Sequence, residues 1–172
     1  MRFLAGVLFG VVAVGAAALL FLGSGLFEVA AAVPPGSLET RLARFALARS
    51  VARRAPRTTN PLAGNADILR EGGEHYKKMC VACHGAPGVD PSEIGEGLNP
   101  PAPDLTLERV QRLSDGELFW IVQNGVRMSG MPAFGATHKD RQIWEIVAFL
   151  RHLPELTPEE EKALSAATKD AD

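Results

Sequence analysis

Cys80-Val81-Ala82-Cys83-His84 is the densest concentration of reactive side chains in the sequence. Two thiols separated by two residues and followed at once by an imidazole form the sequence to which a c-type haem is covalently attached. The thiols add across the two vinyl groups of the porphyrin, the intervening residues set the reach between them, and the imidazole serves as proximal ligand of the iron. These are the only two cysteines in 172 residues, so neither a disulfide framework nor a four-sulfur zinc site competes for them. The competing reading, a thioredoxin-like redox pair, leaves His84 as a coincidence.

A haem that carries electrons rather than binding small molecules needs a second axial ligand, and the candidates are four methionines and four histidines. Met1 precedes a long apolar stretch, and Met79 is pinned beside the attachment sequence and cannot reach the opposite face. Met128 and Met131 remain, in Asn124-Gly125-Val126-Arg127-Met128-Ser129-Gly130-Met131-Pro132-Ala133-Phe134-Gly135, a stretch too rich in glycine for helix or strand. Met131 is the better candidate, because Gly130 allows close approach to a flat macrocycle and Pro132 fixes the chain direction after the sulfur. Met128 is the reserve, and His138 is the outside alternative. The ordinary role of a methionine is to fill a core, but this one lies in a loop downstream of a haem-binding sequence.

The elements that must position these residues are helical. Residues 67–79 place Ile68, Gly72, Tyr76 and Met79 on one helix face leading into Cys80. Gly72 and Gly73 weaken such a helix, and a close crossing with a second helix accounts for them. Residues 85–104 carry too many glycines and prolines for regular structure. Ser114-Asp115-Gly116-Glu117 reads as a capping box opening a helix to about Asn124, with Leu118, Ile121 and Val122 as its buried stripe and Phe119 and Trp120 flanking it. Residues 139–153 repeat the pattern with Ile143, Ile146, Val147 and Leu150, flanked by Trp144 and Phe149. This last helix is expected to cross the 67–79 helix near Gly72. Thr157-Pro158-Glu159-Glu160 predicts a further short helix, followed by an acidic tail ending in Asp170, Ala171 and Asp172. No segment between residues 64 and 153 alternates as a strand would.

Over residues 67–153 the sequence resembles a class I c-type cytochrome. In that family a glycine eight residues and an aromatic four residues before the first cysteine precede the haem sequence, and Gly72 and Tyr76 stand there. The family's later pattern appears as Asn124-Gly125 and Gly130-Met131-Pro132-Ala133-Phe134, and Phe149 fills the aromatic place in the closing helix. The resemblance implies an all-α fold around one covalent haem c, with Cys80, Cys83, His84 and Met131 binding the cofactor and His84 and Met131 ligating iron. It also implies a proline carbonyl that accepts from the proximal histidine. Pro100, Pro101 and Pro103 are available, and Pro101 is the weak preference.

Residues 3–27 carry no charge, and as a helix they would reach about 37 Å, enough to cross a hydrocarbon core. A secretory leader has a shorter apolar run, so an uncleaved anchor fits better than a cleaved signal, although Ala30-Ala31-Ala32 offers a cleavage site. Arg2 agrees with a cytoplasmic N-terminus, whereas Arg41, Arg44, Arg49, Arg53, Arg54 and Arg57 follow the span on the opposite side. Arg41 lies fourteen positions beyond Phe27, which weakens that objection, and the resemblance implies haem attachment outside the cytoplasmic membrane. Residues 1–57 have a net charge of +5 and residues 58–172 of −7, which the whole-chain balance of −2 hides. The basic stretch shows poor amphipathicity, and a solvated linker is the favoured reading over a lipid-binding segment.

The sequence therefore predicts a signal anchor over 1–28, a basic connector over 29–63, a cytochrome c domain over 64–155 and an acidic tail with a short helix over 156–172. The expected function is single-electron transfer in an extracytoplasmic respiratory or dehydrogenase chain, by a carrier rather than an enzyme. The expected partners are redox proteins and the inner membrane, with no nucleic acid and no small-molecule substrate. A subunit of a larger membrane oxidoreductase is the alternative, then a five-coordinate haem sensor or peroxidase; a soluble periplasmic form would follow signal cleavage.

Overall fold

The computed structural model describes residues 2–169, with side-chain surroundings through residue 166; the predicted tail end at 170–172 and Met1 lie outside the described residues. The chain divides into two units, Met1–Val33 and Pro34–Asp172.

The first unit is helix α1, Arg2–Gly23, apolar on every side and buried nowhere. A helix with no polar face has no water-soluble solution by itself, and α1 is the one helix among the described residues long and apolar enough to cross a membrane. Its length and composition suit a membrane anchor and a signal peptide alike. The helix is shorter than the uncharged run because Gly23-Ser24-Gly25 ends it: the Ser24 hydroxyl donates to the Phe21 carbonyl at 2.6 Å, and Gly25 takes φ +76°. Its 22 residues still reach about 33 Å.

The second unit is all helical, with α2 at Ser37–Arg54, α3 at Ala66–Met79, α4 at Val81–His84, α5 at Glu93–Glu96, α6 at Glu108–Gln111, α7 at Asp115–Asn124, α8 at Asp140–His152 and α9 at Pro158–Lys169. No strand occurs among the described residues, only an isolated bridge between Ala86 and Val89. The caps expected at Ser114 and Thr157 form, and the structure adds one at Asn65 that the sequence reading did not name. Asn65 caps α3 by accepting from the Asp67 N–H at 2.9 Å. Ser114 and Glu117 close their capping box reciprocally, and so do Thr157 and Glu160 at the start of α9.

The crossing of α3 and α8 organises the domain. A Cβ on Gly72 would overlap the Glu145 carbonyl oxygen and touch Phe149 Cβ at 3.0 Å, so the two backbones meet where glycine alone fits. Tyr76, Ile143, Ile146, Val147 and Leu153 are almost fully buried around this contact. On α7 the large buried residues are Leu118, Phe119 and Val122, beside buried Gly116, with Ile121 only partly covered. Phe119 therefore takes the core place expected of Ile121, because its ring stacks on Trp144 of α8 at 4.3 Å.

The end of the connector is packed onto this core. α2 contacts α7, with Val51 buried and Thr40, Leu47 and Ser50 half-buried. A Cβ on Gly116 would overlap the Pro56 carbonyl. Asn60 is buried; its side-chain amide donates to the Trp144 carbonyl at 2.8 Å, and its backbone N–H donates to Asp115 at 2.8 Å. Asp115 in turn accepts from Arg151 of α8 at 2.9 Å.

Candidate functional site

Helix α3 delivers Cys80 directly, since the Cys80 N–H closes the last turn on the Tyr76 carbonyl at 2.9 Å. α4 is the single turn that carries Cys83 and His84. Gly85 stops it at φ +60°, a conformation that favours glycine, and a Cβ there would lie 2.5 Å from the Val89 carbonyl oxygen. The fully buried Tyr76 hydroxyl donates to the Gly85 carbonyl at 2.6 Å, tying the end of the attachment turn back to α3. Burial, with smaller contributions from Cys80 and Asp104, holds this phenol protonated well above its ordinary range.

From the other side, the turn is held by the following loop. Ser92 donates to the Ala82 carbonyl through both its N–H and its hydroxyl, at 2.9 and 3.0 Å. α5 then presses onto α4 so closely that a Cβ on Gly95 would lie 2.9 Å from Cys83 Cα. Cys80 is buried and Cys83 half-buried, both as thiols. Burial, with Cys83 beside it, pushes the Cys80 thiol up to about 12.

His84 Nδ1 lies 2.8 Å from the Pro103 carbonyl oxygen. A carbonyl can only accept, so Nδ1 carries the proton and Nε2 keeps the lone pair that a metal needs. Burial lowers the His84 pKa and the Pro103 hydrogen bond partly offsets this. The partner is thus Pro103 and not the weakly preferred Pro101. Three prolines in four residues look equivalent in sequence, and the path of the loop makes Pro103 the one whose carbonyl meets the ring.

The methionine loop is equally constrained. α7 ends at Gly125, φ +64°, where a Cβ would lie 2.7 Å from the Met131 carbonyl oxygen. The Val126 N–H donates to the Met131 carbonyl at 3.2 Å. The Ser129 hydroxyl donates to Val126 O at 2.7 Å and accepts from the Met131 N–H at 3.2 Å. Met131 is half-buried against the same core cluster that contains Cys80. Met128 takes φ +60° and is 90% exposed. A Cβ on Gly130 would lie 2.5 Å from Leu98, so the loop that follows His84 and the loop that carries Met131 touch.

The remaining histidines lie elsewhere. His138 packs edge-on against His75 and Phe134, with ring centroids 5.2 and 5.6 Å apart, and its Nδ1 is 2.8 Å from the Thr137 hydroxyl. His75 faces Glu145 at 3.9 Å, and His152 bonds Glu160 at 3.1 Å. Sequence reasoning missed the supporting residues Ser92, Gly95 and Ser129; their hydroxyls and missing Cβ matter only once the loops are closed.

Residues 67–150 match the family of cytochrome c oxidase, cbb3-type, subunit III. Comparison with curated proteins gives no match. An all-helical fold with this match defines a class I c-type cytochrome. A domain of this kind over residues 67–150 supports haem-based electron transfer and implies a haem c with iron and protein redox partners.

Proposed function

We propose that the chain is a monohaem cytochrome c in which Cys80 and Cys83 would hold the porphyrin by thioether bonds, His84 and Met131 would ligate its iron, and single electrons would pass to and from partner proteins. The observation that carries this reading is the His84 hydrogen bond to Pro103 at 2.8 Å, which fixes the tautomer and orients the ring for ligation through Nε2. The donor set fits the group: two unpaired thiols and an imidazole on one helical turn, and a half-buried thioether on a pinned loop. The bound haem supplies a reversible ferric–ferrous couple, and ligation by histidine and methionine raises its potential.

The protein residues keep that couple simple. Pro103 holds the proximal ring, Ser129 and Gly125 hold the methionine backbone, and the core around Tyr76 excludes water. With His84 and Met131 both held in place, oxidation and reduction would need no exchange of ligands. The exposure of Met128 and the engagement of His138 with His75 support Met131 over both alternatives. Retention of α1 would make the protein a single-pass inner-membrane cytochrome with its haem domain on the periplasmic side.

A second reading rests on the matched family, which is named for an oxidase subunit: the same haem chemistry would then serve a stable complex. Purification in mild detergent separates the two, since a subunit brings its complex with it. For the carrier itself, the absorption spectrum of the ferric protein is the test. A low-spin, six-coordinate spectrum is expected; a high-spin spectrum would instead support a five-coordinate sensor or peroxidase.

A further inference from the structure

Helix α2 carries two apolar stripes on opposite sides. With about 100° between successive residues, Thr40, Leu47 and Val51 fall on one line, and these are residues the domain covers. Leu38, Leu42 and Phe45 fall on a line roughly opposite, and they are 67%, 59% and 67% exposed. Two opposed stripes cancel in any measure of one-sidedness, which is why the segment reads as a plain linker in sequence. Among the described residues of the second unit, three of the six large exposed hydrophobic residues sit on this one line, whereas Ile94, Leu107 and Met128 belong to three different loops or short helices. Burial of one face against α7 fixes the other as a surface rather than a fluctuating side of a free helix.

We propose that the Leu38–Leu42–Phe45 face of α2 lies on the anionic surface of the membrane that α1 crosses, so that α2 forms a layer between lipid and cytochrome domain. This inference rests on the anchor reading of α1. Charge selects lipid as the occupant. α2 holds Arg41, Arg44, Arg49, Arg53 and Arg54 against the single acid Glu39, while residues 58–172 are net negative. Arg49 continues the apolar line by one turn and Arg41 borders it, an arrangement in which aliphatic stems lie along apolar surface while guanidinium heads reach phosphate. Basic residues next to a membrane span are drawn to anionic leaflets. The link supports the same occupant: residues 24–36 separate α1 from α2, an extended reach of at most about 45 Å. The cytochrome domain would then be held at the membrane surface with α7 towards α2, instead of swinging on a flexible leash.

The test uses the full-chain holoprotein in phosphatidylcholine nanodiscs with and without phosphatidylglycerol. Thioether attachment consumes Cys80 and Cys83, so Leu42→Cys introduces one labelling site on an exposed position that does not touch α7; Glu108→Cys on α6 is the reference. A fluorophore at 42 is expected to be quenched by lipids bearing an acyl-chain quencher in discs containing phosphatidylglycerol, and the label at 108 is not. Leu38→Ser with Phe45→Ser should abolish the quenching at 42 while the haem spectrum is unchanged. Position 42 remaining unquenched in those discs, or becoming protected only when a second protein is added, overturns the proposal. Retention of haem-stained protein in the discs after a high-salt wash reports separately on α1. Retention without quenching contradicts only the α2 proposal, and loss from the discs overturns the anchor reading and this one with it.

Discussion

At the scale of single residues, the chemistry depends on a few atoms held from several directions. Replacing either Cys80 or Cys83 by alanine removes one thioether, so haem staining on a denaturing gel should be lost or strongly reduced in each variant. Wild-type staining in both would contradict covalent attachment. Tyr76→Phe tests the support behind them. It deletes the hydroxyl that satisfies Gly85 at 2.6 Å in a fully buried setting, and an unsatisfied buried carbonyl costs about 1–3 kcal/mol. Denaturant unfolding of the holoprotein should show that loss, with the haem still attached. The proposed haem-binding residues Cys80, Cys83, His84 and Met131 can be nominated from sequence because local spacing and the Gly130-Met131-Pro132 pattern mark them. Pro103 cannot, since its choice over Pro101 depends on how residues 85–104 drape over the turn. Ser92 and Gly95 escaped notice for the same reason.

At the scale of elements, caps and helix periodicity read correctly from sequence, as did the crossing at Gly72. A methyl group there has backbone on the other side, which cannot give way as a side chain can. Gly72→Ala should therefore destabilise by about 3 kcal/mol or more, measured as a lowered unfolding midpoint. Gly73→Ala should be milder, because its nearest neighbour is the Phe149 ring at 3.0 Å. α9 has a pH response. Burial raises the Glu160 pKa, but hydrogen bonds from Thr157 and the contact with His152 outweigh it and leave the carboxyl below its ordinary range. A carboxyl with a depressed folded pKa stabilises the fold above its unfolded pKa and loses that contribution as pH falls through the folded value. Protection of the α9 amides, taken relative to the intrinsic exchange rate at each pH, should thus be high at neutral pH and fall in acid below the usual glutamate range; Glu160→Gln should remove that dependence. α2 reads as a plain connector in sequence because Leu47 and Val51 lie opposite Leu38, Leu42 and Phe45, and only the packing against α7 separates the covered pair from the exposed three.

At the scale of the whole molecule, the packed connector changes what a soluble fragment must contain. A fragment starting at Pro34 keeps α2, and one starting at residue 58 keeps Asn60 but loses Val51 and Pro56. A start at residue 64 also strips the hydrogen bonds to Asp115 and the Trp144 carbonyl. Stability should fall in that order, and the last step alone should cost about 1–3 kcal/mol, as two part-buried groups lose their hydrogen bonds from Asn60. The 58–172 fragment should still bind haem. Its net charge of −7 should make its electron exchange with a basic partner protein slow as salt is raised, because steering through opposite charges is screened. The sequence shows this polarity plainly, yet gives no sign that the basic half is partly built into the acidic domain: Val51 is buried, and the Pro56 carbonyl lies against Gly116 of α7.

The central claim, a histidine–methionine haem carrying one electron at a time, is tested most directly by redox titration of the full-chain ferric and ferrous protein with the near-infrared edge of the spectrum recorded throughout. The wild type should titrate as a single one-electron couple, with a weak sulfur-to-iron band in the ferric state. Met131→Ala should lose the band and shift the potential downward, and Met128→Ala, whose side chain is 90% exposed, should change neither. A band that survives Met131→Ala but disappears in Met128→Ala would contradict the ligand assignment, and a wild-type ferric protein with no such band would contradict the histidine–methionine centre itself.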